Sequence, residues 1–173
     1  MTLARAFGLV MILAASVIAI TLELRASLPS TLPRCPSIAT MVFVDTDARV
    51  LLACEGGEVA HAYRVRIGSA GVGKTREGDR RTPLGVYPLV APRDSERFGT
   101  FVLVGYPTAE QVSLGYTGSA IGVHGPPRHL RVLGPYLNAI DSTAGCIGIA
   151  TDAQMDELRA WIEAHEVDRI ELR

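Results

Sequence analysis

The sequence predicts a mainly β fold, a sandwich or barrel-like sheet with one late α-helix, preceded by an N-terminal apolar helix. Three observations predict it. Short stretches with strand-like alternation recur between residues 41 and 172. Glycine- and proline-rich turns separate them. One segment after residue 151 carries apolar residues at helical spacing. The chain has 173 residues, enough for one domain with a real core.

The first 28 residues read as a signal anchor or signal peptide. Arg5 is the only charge before residues 6–22, a run of 17 residues with no charged side chain. That length sits at the lower edge of a bilayer-spanning helix and also suits the apolar stretch of a signal peptide. With Arg5 on the inner side, residues 29–173 are expected outside the cytoplasm, in the periplasm, anchored to the inner membrane or secreted. Residues 29–39, with Pro29, Pro33 and Pro36, read as an extended linker. The folded domain is expected over 40–173.

Within it, residues 41–45 and 50–54 read as a hairpin across the Asp45-Thr46-Asp47-Ala48 turn. A second turn at Glu55-Gly56-Gly57-Glu58 leads to an alternating strand over 59–67. Further strands are expected at 85–90, 100–104, 120–124, 146–149 and 167–172. The helix begins at Thr151 with Gln154 three residues on, a capping-box pattern. Met155, Leu158 and Ile162 then share one face.

Composition excludes some functions. A net charge of −1 gives no electrostatic basis for nucleic-acid binding. No H-E-x-x-H or C-x-x-C pattern occurs, so neither a metal nor an organic cofactor is expected. One motif competes for attention. Gly68-Ser-Ala-Gly-Val-Gly73-Lys74-Thr75 fits G-x-x-x-x-G-K-[ST] in full. A phosphate loop needs a helix starting at its lysine, and here Gly78 and Pro83 follow instead. The segment reads as a glycine-rich loop with Lys74, Arg76, Arg80 and Arg81 exposed.

The second constellation is Ile121-Gly-Val-His124-Gly125 together with Thr143-Ala144-Gly145-Cys146. A cysteine nucleophile needs a base to take its proton, and a histidine at a strand end supplies one. Gly145 lets backbone amides near Cys146 approach an oxyanion. The carbonyl of Gly125 would orient the His124 ring. By residue type alone, a buried thiol and a hydrogen-bonded core histidine account for the same pair.

The wider pattern resembles the YkuD-type L,D-transpeptidase catalytic domain. The resemblance rests on His124-Gly125, then a loop, then Thr143-Ala144-Gly145-Cys146, with Thr82-Pro83-Leu84-Gly85-Val86-Tyr87 upstream. It covers roughly residues 40–172. It implies acyl transfer on peptidoglycan tetrapeptide stems in cell-wall formation and cell shape. The cysteine attacks after diaminopimelate, D-alanine leaves, and an amine resolves the thioester. Carried over, Cys146 is a nucleophile with a lowered pKa and His124 the general base and acid. Gly125 orients His124, and the Gly145 and Cys146 amides form the oxyanion hole. Thr143 shapes the cysteine turn beside the substrate. Arg128 and Arg131, flanking the His-Gly loop, would pair with stem carboxylates. The enzyme is expected to act as a monomer. Two departures stand out. Ala144 occupies the place of the family's second histidine, and the loop from His124 to Cys146 is longer than usual. A hydrolase on the same chemistry, or a non-catalytic wall-binding domain, fits as an alternative.

A catalytic Cys146 leaves Cys35 and Cys54, one before the first strand and one ending the second. Neighbouring ends of a hairpin suit a disulfide; two unrelated buried thiols are the alternative.

Overall fold

A computed structural model describes residues 11, 12, 14–21 and 26–173. The expected N-terminal apolar run, residues 6–22, falls partly outside these residues. Residues 11–12 and 14–21 are helical, and among the described residues no helix is long and apolar enough to cross a membrane.

Nine strands form one curled sheet: β1 (Met41–Asp45), β2 (Val50–Glu55), β3 (Glu58–Arg66), β4 (Gly85–Pro88), β5 (Arg93–Ser95), β6 (Gly99–Leu103), β7 (Gly122–His124), β8 (Ile147–Ile149) and β9 (Arg169–Leu172). Their order is β4-β9-β1-β2-β3-β8-β7-β6-β5. The Asp45 carboxylate accepts from the Ala48 N–H at 2.7 Å and closes the first hairpin, with Met41 opposite Cys54. A bridge between Leu89 and Val104 joins the end of β4 to the end of β6. Val90 donates to the Leu103 carbonyl at 2.9 Å and Gly105 to that of Pro88 at 2.8 Å. The sheet therefore closes on itself, as the barrel-like expectation requires.

β1 and β2 are buried on both faces. Val42, Val44, Leu51 and Ala53 face the main core. Met41, Phe43, Val50, Leu52 and Cys54 face a second apolar cluster, against which Cys35 and Ala39 pack. The segment read as a linker is thus partly cover for the sheet. Its anchor is the Cys35–Cys54 disulfide, with Cα atoms 5.8 Å apart.

The late helix α2 (Asp152–Ala164) buries Met155, Leu158, Trp161 and Ile162 against the main core. Thr151 accepts from the Gln154 N–H at 3.3 Å, but Gln154 Oε1 is buried without a partner. The reciprocal capping box lies elsewhere, between Thr108 and Gln111, at the start of a short helix α1 (Ala109–Ser113). A 3-10 segment, Arg128–Ala139, fills the connection between β7 and β8.

The disulfide closes a loop with a sequence separation of 19. In chain-entropy terms a loop of that size stabilises by about 3 kcal/mol. Cys35→Ser is expected to lower stability by about that amount under non-reducing conditions, read by urea denaturation, and reductant should abolish the difference.

Candidate active site

β7 and β8 pair in parallel, with Val123 opposite Ile147 and His124 opposite Gly148. Cys146 immediately precedes β8. By the two-residue period of a strand it shares a face with Gly148, and so with His124. Both side chains open on one cleft of about 860 Å³. The glycine-rich loop, the turn before Cys146 and the 3-10 segment all contribute to its lining, which includes Lys74, Phe98, Ala120, Leu137 and Thr143.

His124 is 4% exposed. Its Nδ1 lies 2.7 Å from the Gly125 carbonyl. A carbonyl only accepts, so Nδ1 carries the proton and Nε2 keeps its lone pair. Phe98 stacks on the ring with centroids 3.8 Å apart. Burial pushes the His124 pKa down to about 4; the Gly125 bond opposes this, and Arg66 and Arg97 add to it. The imidazole is therefore neutral at pH 7, as a general base must be. Gly125 itself has no left-handed backbone. Its constraint is space, since a Cβ there would sit 3.3 Å from the Asp152 carboxylate.

The Cys146 thiol points to the Ala120 carbonyl at 3.5 Å. Burial raises its pKa above the usual thiol value, against the pull of the Gly122 N–H, Arg97 and Lys74. The expected low-pKa thiol is corrected here: in this enclosed setting the resting pair is neutral thiol and neutral imidazole.

The turn before Cys146 is clasped at several points. Thr143 Oγ1 donates to the Cys146 carbonyl at 2.7 Å and accepts from the Gly145 N–H at 3.1 Å. Thr82 Oγ1 donates to the Gly145 carbonyl at 2.9 Å and accepts from the Gly68 N–H at 2.9 Å. Gly145 has φ +128°, and a Cβ would lie 2.6 Å from the Arg81 carbonyl, so only glycine fits. The Gly145 amide is already engaged by Thr143. Thr143 holds the turn with its hydroxyl while lining the cleft.

Other sequence-derived residues fall differently. Arg128 and Arg131 line a separate depression of about 520 Å³ with Asp94, Asp152, Asp156 and Arg159, not the cleft of Cys146. The 3-10 segment turns them toward α2, where Arg131 pairs with Asp152 at 2.8 Å. Lys74, expected exposed, is 5% exposed and pairs with Asp79 at 2.9 Å. Asp79 also accepts from the N–H groups of Thr75, Arg76 and Arg81. Burial alone would raise its pKa; these donors outweigh that and hold it far below the usual carboxylate range. Lys74 and the Thr75 amide of the phosphate-loop pattern thus already hold an internal carboxylate. Ala144 and His129 are exposed on the cleft. Asp141 serves structure, pairing with Arg49 at 2.7 Å and accepting from the Ile67 N–H at 3.0 Å. Among the cleft residues that went unread in the sequence are Phe98 and Arg66. Phe98 lies in a segment that shows no alternation to flag it.

His124 binds fewer protons folded than unfolded between about pH 4 and its ordinary value of 6.5. Its contribution to stability is therefore complete above 6.5 and lost as pH falls toward 4. Urea midpoints should fall across that window in the native chain, and His124→Gln should flatten this part of the decline.

Comparison with known proteins places this arrangement. The helical cell shape determining protein Pgp2 from Campylobacter jejuni superposes with a TM-score of 0.63 at 18% identity, over 90% of this chain and 54% of that one. An L,D-transpeptidase from Xylanimonas cellulosilytica gives 0.52 at 20%, over 83% and 65%. Bd1075 from Bdellovibrio bacteriovorus gives 0.55 at 21%, over 77% and 47%. At such identities the likeness is one of fold, and the chain spans about half the length of the Pgp2 structure. No curated protein sequence matches the chain significantly. The sequence model of the YkuD family, L,D-transpeptidase catalytic domain, matches residues 39–170, nearly the whole folded region. The chain belongs to the YkuD family of L,D-transpeptidase catalytic domains.

Proposed function

We infer that the domain is a peptidoglycan L,D-transpeptidase in which Cys146 is the nucleophile and His124 the general base and acid. The single observation that carries this is the shared face of β7 and β8. A thiol and a neutral imidazole with a free Nε2 open there on one cleft. Nε2 takes the thiol proton as sulfur attacks the diaminopimelate carbonyl of the peptide bond to the terminal D-alanine in a tetrapeptide stem. The Cys146 N–H receives the developing oxyanion, and the Gly145 N–H joins it by leaving Thr143. His124 then returns the proton to the departing D-alanine amine, and a thioester remains. An acceptor amine attacks the thioester, loses its proton to His124, and the thiol is restored. No cofactor enters the scheme.

Likeness to Pgp2, a helical cell shape determining protein, supports a role in shaping the wall. Such a role requires the domain outside the cytoplasm, and residues 6–22 would export or tether it. A cytoplasm-specific reporter fused after Arg173 should be silent; an active fusion would reject this placement.

The chemistry is tested with the full chain and disaccharide tetrapeptides. Mass spectrometry should find an acyl group on Cys146 and a crosslinked product, whereas release without an acceptor would indicate hydrolysis. Cys146→Ser should remove turnover almost completely. His124→Ala should lower it by at least about 100-fold. An active Cys146→Ala variant would refute the mechanism.

A further inference from the structure

One row of residues crosses three strands beneath the cleft. Arg66 on β3 pairs with Gly148 on β8, and Gly148 pairs with His124 on β7. Glycine in the middle leaves a trough, and the Arg66 side chain lies in it. A Cβ at Gly148 would stand 2.6 Å from Arg66 Cζ and 2.7 Å from its Nε. Arg66 is 2% exposed and lines the cleft.

The guanidinium is only partly satisfied. Nη1 donates to Asn138 Oδ1 at 2.7 Å and to the Ile149 carbonyl at 3.3 Å. Among the described residues, Nε and Nη2 have no acceptor, and no carboxylate pairs with the group. Burial lowers its pKa to about 10, which leaves it charged at neutral pH. The other cations of the cleft differ. Lys74 is neutralised by Asp79, Arg80 is exposed and donates to Ser69 Oγ at 2.6 Å, and Arg93 and Arg97 are exposed over the rings of Phe101 and Phe98. A largely buried, fork-shaped cation without a counter-ion, on the cleft of Cys146 and His124, favours an arriving carboxylate.

We propose that Arg66, seated on Gly148, is the group that recognises a carboxylate of the donor stem next to the scissile bond. The assignment deepens the acyl-transfer reading and rests on it for the identity of the ligand. A tetrapeptide stem offers two such carboxylates, that of diaminopimelate and that of the terminal D-alanine. Both present the same planar pair of oxygens, and Arg66 binds one of them.

The test measures binding apart from turnover. Full chain carrying Cys146→Ala is titrated by calorimetry with a disaccharide tetrapeptide, with the same compound amidated at diaminopimelate, and with it amidated at D-alanine. One amidated form should bind roughly 10- to 100-fold more weakly, the span of a charge-assisted hydrogen bond, and it identifies the carboxylate. Adding Arg66→Met should erase that difference while the ligand lacking the carboxylate binds as before. Gly148→Ala, which keeps the charge but displaces it from the trough, should erase it too and carries the test if Arg66→Met does not fold. Equal binding of all three ligands with Arg66 intact would overturn the proposal. So would a discrimination that survives Arg66→Met or Gly148→Ala. If discrimination depends on Arg66 but the Cys146-containing chain never acylates, the acyl-transfer reading fails and the carboxylate site stands.

Discussion

Parallel pairing of β7 with β8 sets the terms for everything around the cleft. Two parallel neighbours cannot be joined by a tight turn, so the chain must leave the sheet and return over a long crossover. That requirement accounts for the stretch between His124 and Cys146, with its 3-10 segment. The same pairing fixes His124 opposite Gly148 and leaves Cys146 two positions along the same face. His124 is thus held in the ladder, and Cys146 sits directly at the start of the strand paired with it. The crossover also returns Leu137 and Asn138 to the cleft and to Arg66, so the cover of the cleft and the strands carrying His124 and Arg66 share one support.

Charge in the neighbourhood is arranged with a clear division. Asp79 absorbs Lys74 and three backbone amides into a closed local unit. His124 is kept neutral by enclosure under Phe98 and by cations on two sides. Cys146 keeps its proton against the Ala120 carbonyl. His124 and Cys146 therefore both rest uncharged, and the charge of Lys74 is closed off within its own loop.

Much of this was legible in the chain. The first hairpin, the β3 strand, the late helix and its apolar face follow from periods of two and 3.6, which local chemistry sets. His124 and Cys146 stood out because each is followed or preceded by glycine in a spaced pattern. What escaped depends on contacts distant in sequence. Arg66 looks like an outward position of an alternating strand; its burial is decided by the missing side chain at Gly148. Lys74 looked exposed because Asp79 folds back on it only when the loop closes. Arg128 and Arg131 were read as cleft residues from proximity to His124, yet α2 offers Asp152 on the other side. The Thr108–Gln111 cap carried the same signal as Thr151–Gln154. It introduces a helix too short to show an apolar stripe.

The contact between Leu89 and Val104 has one more effect. A sheet that curls until its fourth and sixth strands touch presents few open peptide groups along its borders. Of the two outer strands, β4 spans four residues and ends at Pro88, and β5 spans three, two of which, Arg93 and Asp94, are charged. Borders so short, one ending in proline and the other charged, are poor templates for a strand from another molecule. Crowded copies of this domain are thereby kept from stacking sheet to sheet, and the protection comes from the path of the backbone itself.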